Sequence, residues 1–264
     1  MRIFFVFAEA SFRVQASFSR QVFVLIIGAL INVVARVAIW TSVYDEQSSV
    51  SGVELNQMVT YSIIGTCLLL TWDSGLTIRD LGAEIRSGHI ANKLLLPYQF
   101  PLFSLALQFG ARVHYVLTTG LPVIILVSLF TGLLPPASMF ALGLFIISCA
   151  ISFAILFSLS TIFALICFWL FNAISAELML RGILVLLSGE LVPLWFFPEG
   201  LARVVENLPF CWITFYPMAI YLGEIDHGAA VLTVAGGLIW VSVLLSILFL
   251  LWRRICQTIA LQGG

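Results

Sequence analysis

Long apolar runs alternate with short polar intervals from one end of the chain to the other. The runs lack the two-residue alternation of half-buried strands and are too long for buried strands, so they predict helices. Spans are expected at 21–44, 58–78, 113–133, 137–168, 178–197 and 229–252. Each approaches or exceeds the ~20 apolar residues that cross a bilayer. The fourth is over-long and must tilt, kink or extend beyond the lipid. The fifth is irregular: its apolar part, 182–197, holds only 16 residues, and Pro193 and Pro198 block regular helix.

The polar intervals complete the pattern. Residues 1–20 place Arg2, Glu9, Arg13 and Arg20 on a narrow helical arc, with Phe4, Phe5, Phe7 and Phe18 off it. This predicts an amphipathic helix lying in the membrane interface. Residues 45–57 form an acidic loop without Lys or Arg. Residues 98–112 are mixed and are expected at the interface. Within the outer segment, 198–228, Leu201, Val204, Val205 and Leu208 share one face of a short helix. The fifth element is therefore expected to enter from the inside, break near Ser188–Pro193 and turn outer chain back into the membrane. Broken backbone is tolerated at that depth only where protein or water satisfies it.

Composition then fixes the class. Of 264 residues, 61% are hydrophobic and 9% charged. A soluble domain carries about 25% charged residues, so these cannot cover a water-soluble surface of this size. The fold class expected is an all-α membrane protein with six transmembrane helices, a single transmembrane domain over 1–264. The net charge of −1 says nothing about nucleic acid, but the basic residues are scattered rather than clustered, so no nucleic-acid partner is expected. Ten basic residues, from Arg2 to Arg254, fall on one side of the six crossings, Arg203 alone falls on the other, and Arg36 lies within the first span. The bias puts both termini in the cytoplasm of a multi-pass protein of the cell membrane.

Candidate chemistry is sparse. There is no G-x-x-x-x-G-K-[ST] loop to cradle ATP, no G-x-S-x-G and no H-E-x-x-H. No catalytic or metal-ligating set is expected, and the five cysteines read as apolar fillers. The informative residues are ionisable ones at membrane depth, where each costs about 2.5–3.5 kcal/mol. Arg36 shares a face with Asn32, Ala29 and Trp40; it either lines a substrate path or subunit contact, or snorkels to the surface. Asp73 is expected to pair with Arg79 or another nearby base. Glu190 either lines an outer vestibule or caps a turn in water. The inner loop 79–97 mixes Leu81, Ile85, Ile90, Leu94 and Leu95 with charges; it is a docking site for a soluble partner or a plain connector.

Ordered motifs carry a family resemblance. Glu84 to Gly88, reading E-I-R-S-G, precedes L-L-L-P at Leu94 to Pro97. S-G-E-L-V-P-L-W-F-F-P runs from Ser188 to Pro198, followed by L-P-F at Leu208 to Phe210, Tyr216-Pro217 and Tyr221-Leu222-Gly223. In order, spacing and topology the chain resembles type-2 ABC exporter permeases of about 260 residues with six spans. Glu190 stands where that pattern has an apolar residue.

The resemblance implies a half-transporter without its own ATPase. Two permeases, identical or sister, would assemble with two copies of a soluble ATP-binding subunit, which would hold the ATP and magnesium; this chain would bind no cofactor. It implies a cytoplasmic coupling helix carrying Glu84, Ile85, Arg86, Ser87, Gly88 and Lys93. It implies a path between subunits, with Asn32, Arg36 and Glu190 as candidates, and an outer re-entrant gate at Ser188, Gly189, Pro193 and Pro198. ATP-driven closure of the partner subunits would open the path outward. The apolar spans suit an amphipathic or lipophilic cargo as well as plain lipid contact. An ATP-independent secondary transporter or channel is the competing reading; it needs an ion gradient and a buried carboxylate relay, for which only Asp73 and Glu190 are available.

Overall fold

The computed structural model describes residues 2–17, 19–44, 49–50, 52–71, 74–87, 90, 100–170 and 172–262. Phe18, Asp73, Gly88, Lys93, the Leu94 to Pro97 motif and part of the acidic loop 45–57 lie outside these residues, as does the Arg20 side chain.

The described chain is helical apart from a two-residue hairpin, Ser49–Val50 with Val53–Glu54. The helices are α1 (Arg2–Ala16), α2 (Ser19–Val43), α3 (Leu55–Leu70), α4 (Ser74–Arg86) and α5 (Phe100–Thr131). They continue as α6 (Met139–Leu170), α7 (Ala173–Leu187), α8 (Glu199–Val205), α9 (Phe215–Leu222) and α10 (His227–Gln262). Among the described residues, four helices are long and apolar enough to cross a bilayer: Gln21–Val43, Phe100–Thr131, Met139–Trp169 and His227–Thr258.

α6 forms the centre. It packs against α4, α7, α9 and α10, burying Ile155, Leu165 and Cys167 with Leu180, Ile213 and Leu248. A second core joins Ala29 and Val33 of α2, Val59 and Ile63 of α3, and Val123 and Val127 of α5. The second predicted span differs from the observed element. α3 closes at Thr71, whose hydroxyl turns back to the Cys67 carbonyl at 2.9 Å, and α4 starts as a separate helix. α4 buries Ile78, Leu81 and Ile85, spaced i, i+3 and i+7, and exposes Asp80 and Arg86.

Residues 100–112 form the first half of α5, and Arg112 within it donates from its guanidinium to the Thr71 carbonyl at 3.0 Å. This half carries α1. Gly110 permits the approach, since a Cβ there would sit 1.9 Å from the Ala8 carbonyl oxygen. Phe7 meets Phe103 edge-on at 4.8 Å and Gln15 accepts from the Tyr115 hydroxyl at 3.0 Å. α5 then passes through one π-helical turn, Val116–Gly120, in which the Leu121 N–H reaches back five residues to the Val116 carbonyl.

α7 ends at Ser188, and the chain reverses through Gly189, whose φ of +76° suits a residue without a Cβ. The reversal is held inside the bundle. Tyr61 donates to the Gly189 carbonyl at 2.7 Å, the Phe215 N–H to the Ser188 carbonyl at 3.1 Å, and Ser152 to the Ile213 carbonyl at 2.6 Å. Trp212 caps this packing with an indole bond to the Thr233 carbonyl of α10 at 2.8 Å. In α8 the apolar stripe is only partly used: Val205 is buried, whereas Leu201 and Val204 stay exposed. The helix has only two turns, and its inward side meets the core through Val205 alone.

Candidate functional site

One face of α2 builds the wall of a cavity. Gln21, Leu25, Asn32 and Arg36 recur at intervals of four, seven and four residues, which keeps them in line on a helix. Opposite stand Thr66, Leu69 and Leu70 of α3, Gly75 and Arg79 of α4, Arg112 and Tyr115 of α5, and Glu177, Arg181, Leu184 and Val185 of α7. Glu190 closes one end. The space is about 570 Å³, within the range of small-molecule sites. Gln21 to Arg36 is 15 residues, so it follows α2 for roughly 22 Å.

An ion pair stands at each end. At the Glu190 end, Arg36 Nη2 lies 2.5 Å from Glu190 Oε1, its Nη1 donates to the Glu190 carbonyl at 2.5 Å, and its Nε donates to Asn32 Oδ1 at 3.0 Å. The Arg36 and Glu190 side chains are only 16% and 18% exposed. Ser188, fully buried, positions the turn by accepting from the Glu190 N–H at 3.3 Å. At the other end Arg79 Nη1 meets Glu177 Oε1 at 3.2 Å, with Arg79 half-exposed.

The structure thus brings Asn32, Arg36 and Glu190 together. Arg36 turns into the protein instead of snorkelling. Ala29 of the expected α2 face packs into the second core, and Trp40 stacks on Phe196 at 5.2 Å. Arg79 takes Glu177 as its partner; Asp73 lies outside the described residues. Pro193 and Pro198 flank the short 3₁₀ turn Leu194–Phe196 beyond the break. Glu84, Ile85, Arg86 and Ser87 form the end of α4, away from the cavity lining, with Arg86 and Ser87 exposed. Sequence reasoning missed Gln21, Thr66, Glu177 and Arg181 as cavity residues. The i, i+4, i+7, i+8 spacing of Glu177, Arg181, Leu184 and Val185 was the available signal.

A polar cavity walled by apolar helices needs a family to give it meaning. A family model described as ABC-2 family transporter protein matches residues 30–262. The chain belongs to the ABC-2 transporter family. No curated protein and no solved structure matches it. As an ABC-2 permease it is a multi-pass membrane subunit of an ABC transporter and not the ATPase itself. The match begins within α2 and takes in the whole cavity lining except Gln21 and Leu25. Among the described residues of this permease, no three His, Cys, Asp or Glu side chains group as metal ligands.

Proposed function

We propose that the chain is the permease subunit of an ATP-driven exporter, with its substrate path along the α2–α7 cavity. The observation that carries this reading is the cavity itself: about 570 Å³ of partly polar space lined by α2, α3, α4, α5 and α7, in an ABC-2 family member. Ionisable groups at membrane depth mark transport paths when they face protein or water. Asn32, Arg36 and Glu190 form the path's outer end. Ser188, Gly189, Pro193 and Pro198 form the re-entrant gate.

The reading has six crossings, with both termini cytoplasmic in the cell membrane. α3 and α7 supply the two crossings beyond the four long helices. α3 has 16 residues, about 24 Å, short of the ~30 Å hydrocarbon core. Its residues Met58 to Cys67 are all buried, so protein rather than lipid surrounds it.

In this reading the end of α4 and the loop after it, with Glu84, Ile85, Arg86, Ser87, Gly88 and Lys93, dock on the ATP-binding subunit. Buried Ile85 ties that end to the core around α6 and α7, and exposed Arg86 and Ser87 remain for a partner. Movement of α4 reaches the path through the Arg79–Glu177 pair to α7. Two permeases and two ATP-binding subunits complete the assembly, and the nucleotide acts through its differential affinity for the closed state.

Affinity purification of the tagged chain from its native membrane tests the assignment. A stoichiometric ATP-binding subunit is expected. A single species with no ATPase, stable in mild detergent, would overturn it in favour of an ATP-independent carrier.

A further inference from the structure

The Glu190 end of the cavity is closed by groups anchored on different parts of the chain. The turn Ser188–Glu190 is fixed from behind: the Phe215 N–H holds the Ser188 carbonyl, Tyr61 of α3 holds the Gly189 carbonyl, and the Ser188 hydroxyl accepts from the Glu190 N–H. α2 is anchored elsewhere. It packs along α3 and the second half of α5, and not along α7, which stands across the cavity from it. Its far side, with Ile31, Val34 and Ile39, is exposed. Arg36 ties α2 to the turn, and Trp40 stacks on Phe196 of the 3₁₀ turn beyond it.

The chemistry of the tie suits a joint that opens into water. Closed and dry, each charge has its partner, and the guanidinium also holds the Glu190 carbonyl. A dry charge that loses its partner is strongly penalised. Two charges separated in water are each hydrated, so little is lost on full opening. Partial opening is therefore the costly state, and the contact is made or broken as a unit. An apolar contact at the same place would resist exposure to water in proportion to its area.

We propose that the Arg36–Glu190 pair is a latch on the cavity. Made, it holds α2 against the turn and shuts this end. Broken, it lets α2 swing away and admits water. Asn32 is a positioning residue: its Oδ1, 3.0 Å from Arg36 Nε, keeps the guanidinium aligned with residue 190. That this end faces the outside and releases cargo rests on the permease reading; the latch does not.

The test places a reporter cysteine at Leu184, a cavity-lining residue of α7 that is 5% exposed. The full chain carrying L184C, in nanodiscs, is treated with two methanethiosulfonates of opposite charge and mapped by peptide mass spectrometry. The native Cys167, fully buried in α6, reports unfolding. Labelling of a closed site follows the population of its open form. E190Q should raise the L184C rate about tenfold with both reagents, N32A about threefold, and E190D should stay within about threefold of wild type. Cys167 should stay unlabelled throughout. If E190Q does not stay monodisperse, N32A carries the test. Wild-type rates in E190Q and N32A, a rise with one reagent charge only, or Cys167 labelled along with L184C overturns the latch. The same variants in right-side-out membrane vesicles, with reagent outside, separate the two readings. A rise in nanodiscs that is absent in the vesicles would sink the outward direction alone, and with it the path of the permease reading. A co-purifying ATP-binding subunit with no rise in either would sink the latch alone.

Discussion

Arg36 grips Glu190 twice, through the carboxylate and through the backbone carbonyl, across 154 positions of sequence. The first prediction concerns this contact. R36A removes both bonds and leaves a largely buried carboxylate without its partner. It should destabilise the protein by about 3 kcal/mol. E190Q keeps the carbonyl bond and an acceptor oxygen, and should cost about 1–2 kcal/mol. Thermal unfolding in one detergent checks both. A melting temperature for R36A equal to wild type would remove the pair from the structure's supports.

The second prediction contrasts the two ion pairs. The Arg79 side chain is 49% exposed, against 16% for Arg36. Solvent and salt reach the first pair from the Arg79 side while Glu177 is 12% exposed, so E177Q should cost about 1 kcal/mol, less than R36A. Raising sodium chloride should shrink the E177Q effect and leave that of R36A. Unfolding curves at low and high salt decide it.

That contrast also marks what the sequence could say. The helical class and the break after Ser188 follow from apolar run length and proline positions, and the cost of burying charge singles out Arg36 as a residue that needs a partner. The partnership of Arg36 with Glu190 does not, because tertiary packing alone joins such distant positions. Likewise, nothing in the sequence joins Arg112 of α5 to the Thr71 carbonyl, 41 positions away. Ionisable residues near a span end cannot be assigned to water or to protein without their partners.

The third prediction concerns the reversal after α7. Y61F deletes the donor to the Gly189 carbonyl and should cost about 1–2 kcal/mol. G189A adds a Cβ at φ +76°, 2.9 Å from the Phe215 Cβ, and should cost more. Proteolysis of segment 198–228 should rise in the order wild type, Y61F, G189A. The reverse order would show that the turn is held elsewhere.

The fourth prediction concerns α1. A side chain at 110 would overlap the Ala8 carbonyl. G110V should therefore detach α1 from α5, at about 1–3 kcal/mol. Cysteines placed at Ala8 would become reactive to a polar maleimide in G110V and stay protected otherwise.

The fifth prediction follows from the proposed docking end of α4. Reversing charge at Glu84 and Arg86 together should leave assembly and ATP hydrolysis in place while transport falls. Purified complex in proteoliposomes gives both rates. Unchanged transport with intact assembly would take the docking role away from these residues.

The π-helical turn at Val116–Gly120 has a consequence for how α5 can vary. It carries one residue more than a regular turn, so the two halves of one continuous rod are rotated by about 100° relative to each other. The first half presents Gly110 to Ala8, and the second presents Val123 and Val127 to the α2–α3 core. Deleting any one residue of the turn would straighten the helix and throw the two faces out of phase. A whole-residue indel here is thus a far larger change than any point substitution, and the turn works as a phase-setter between two neighbours that a uniform helix could not serve together.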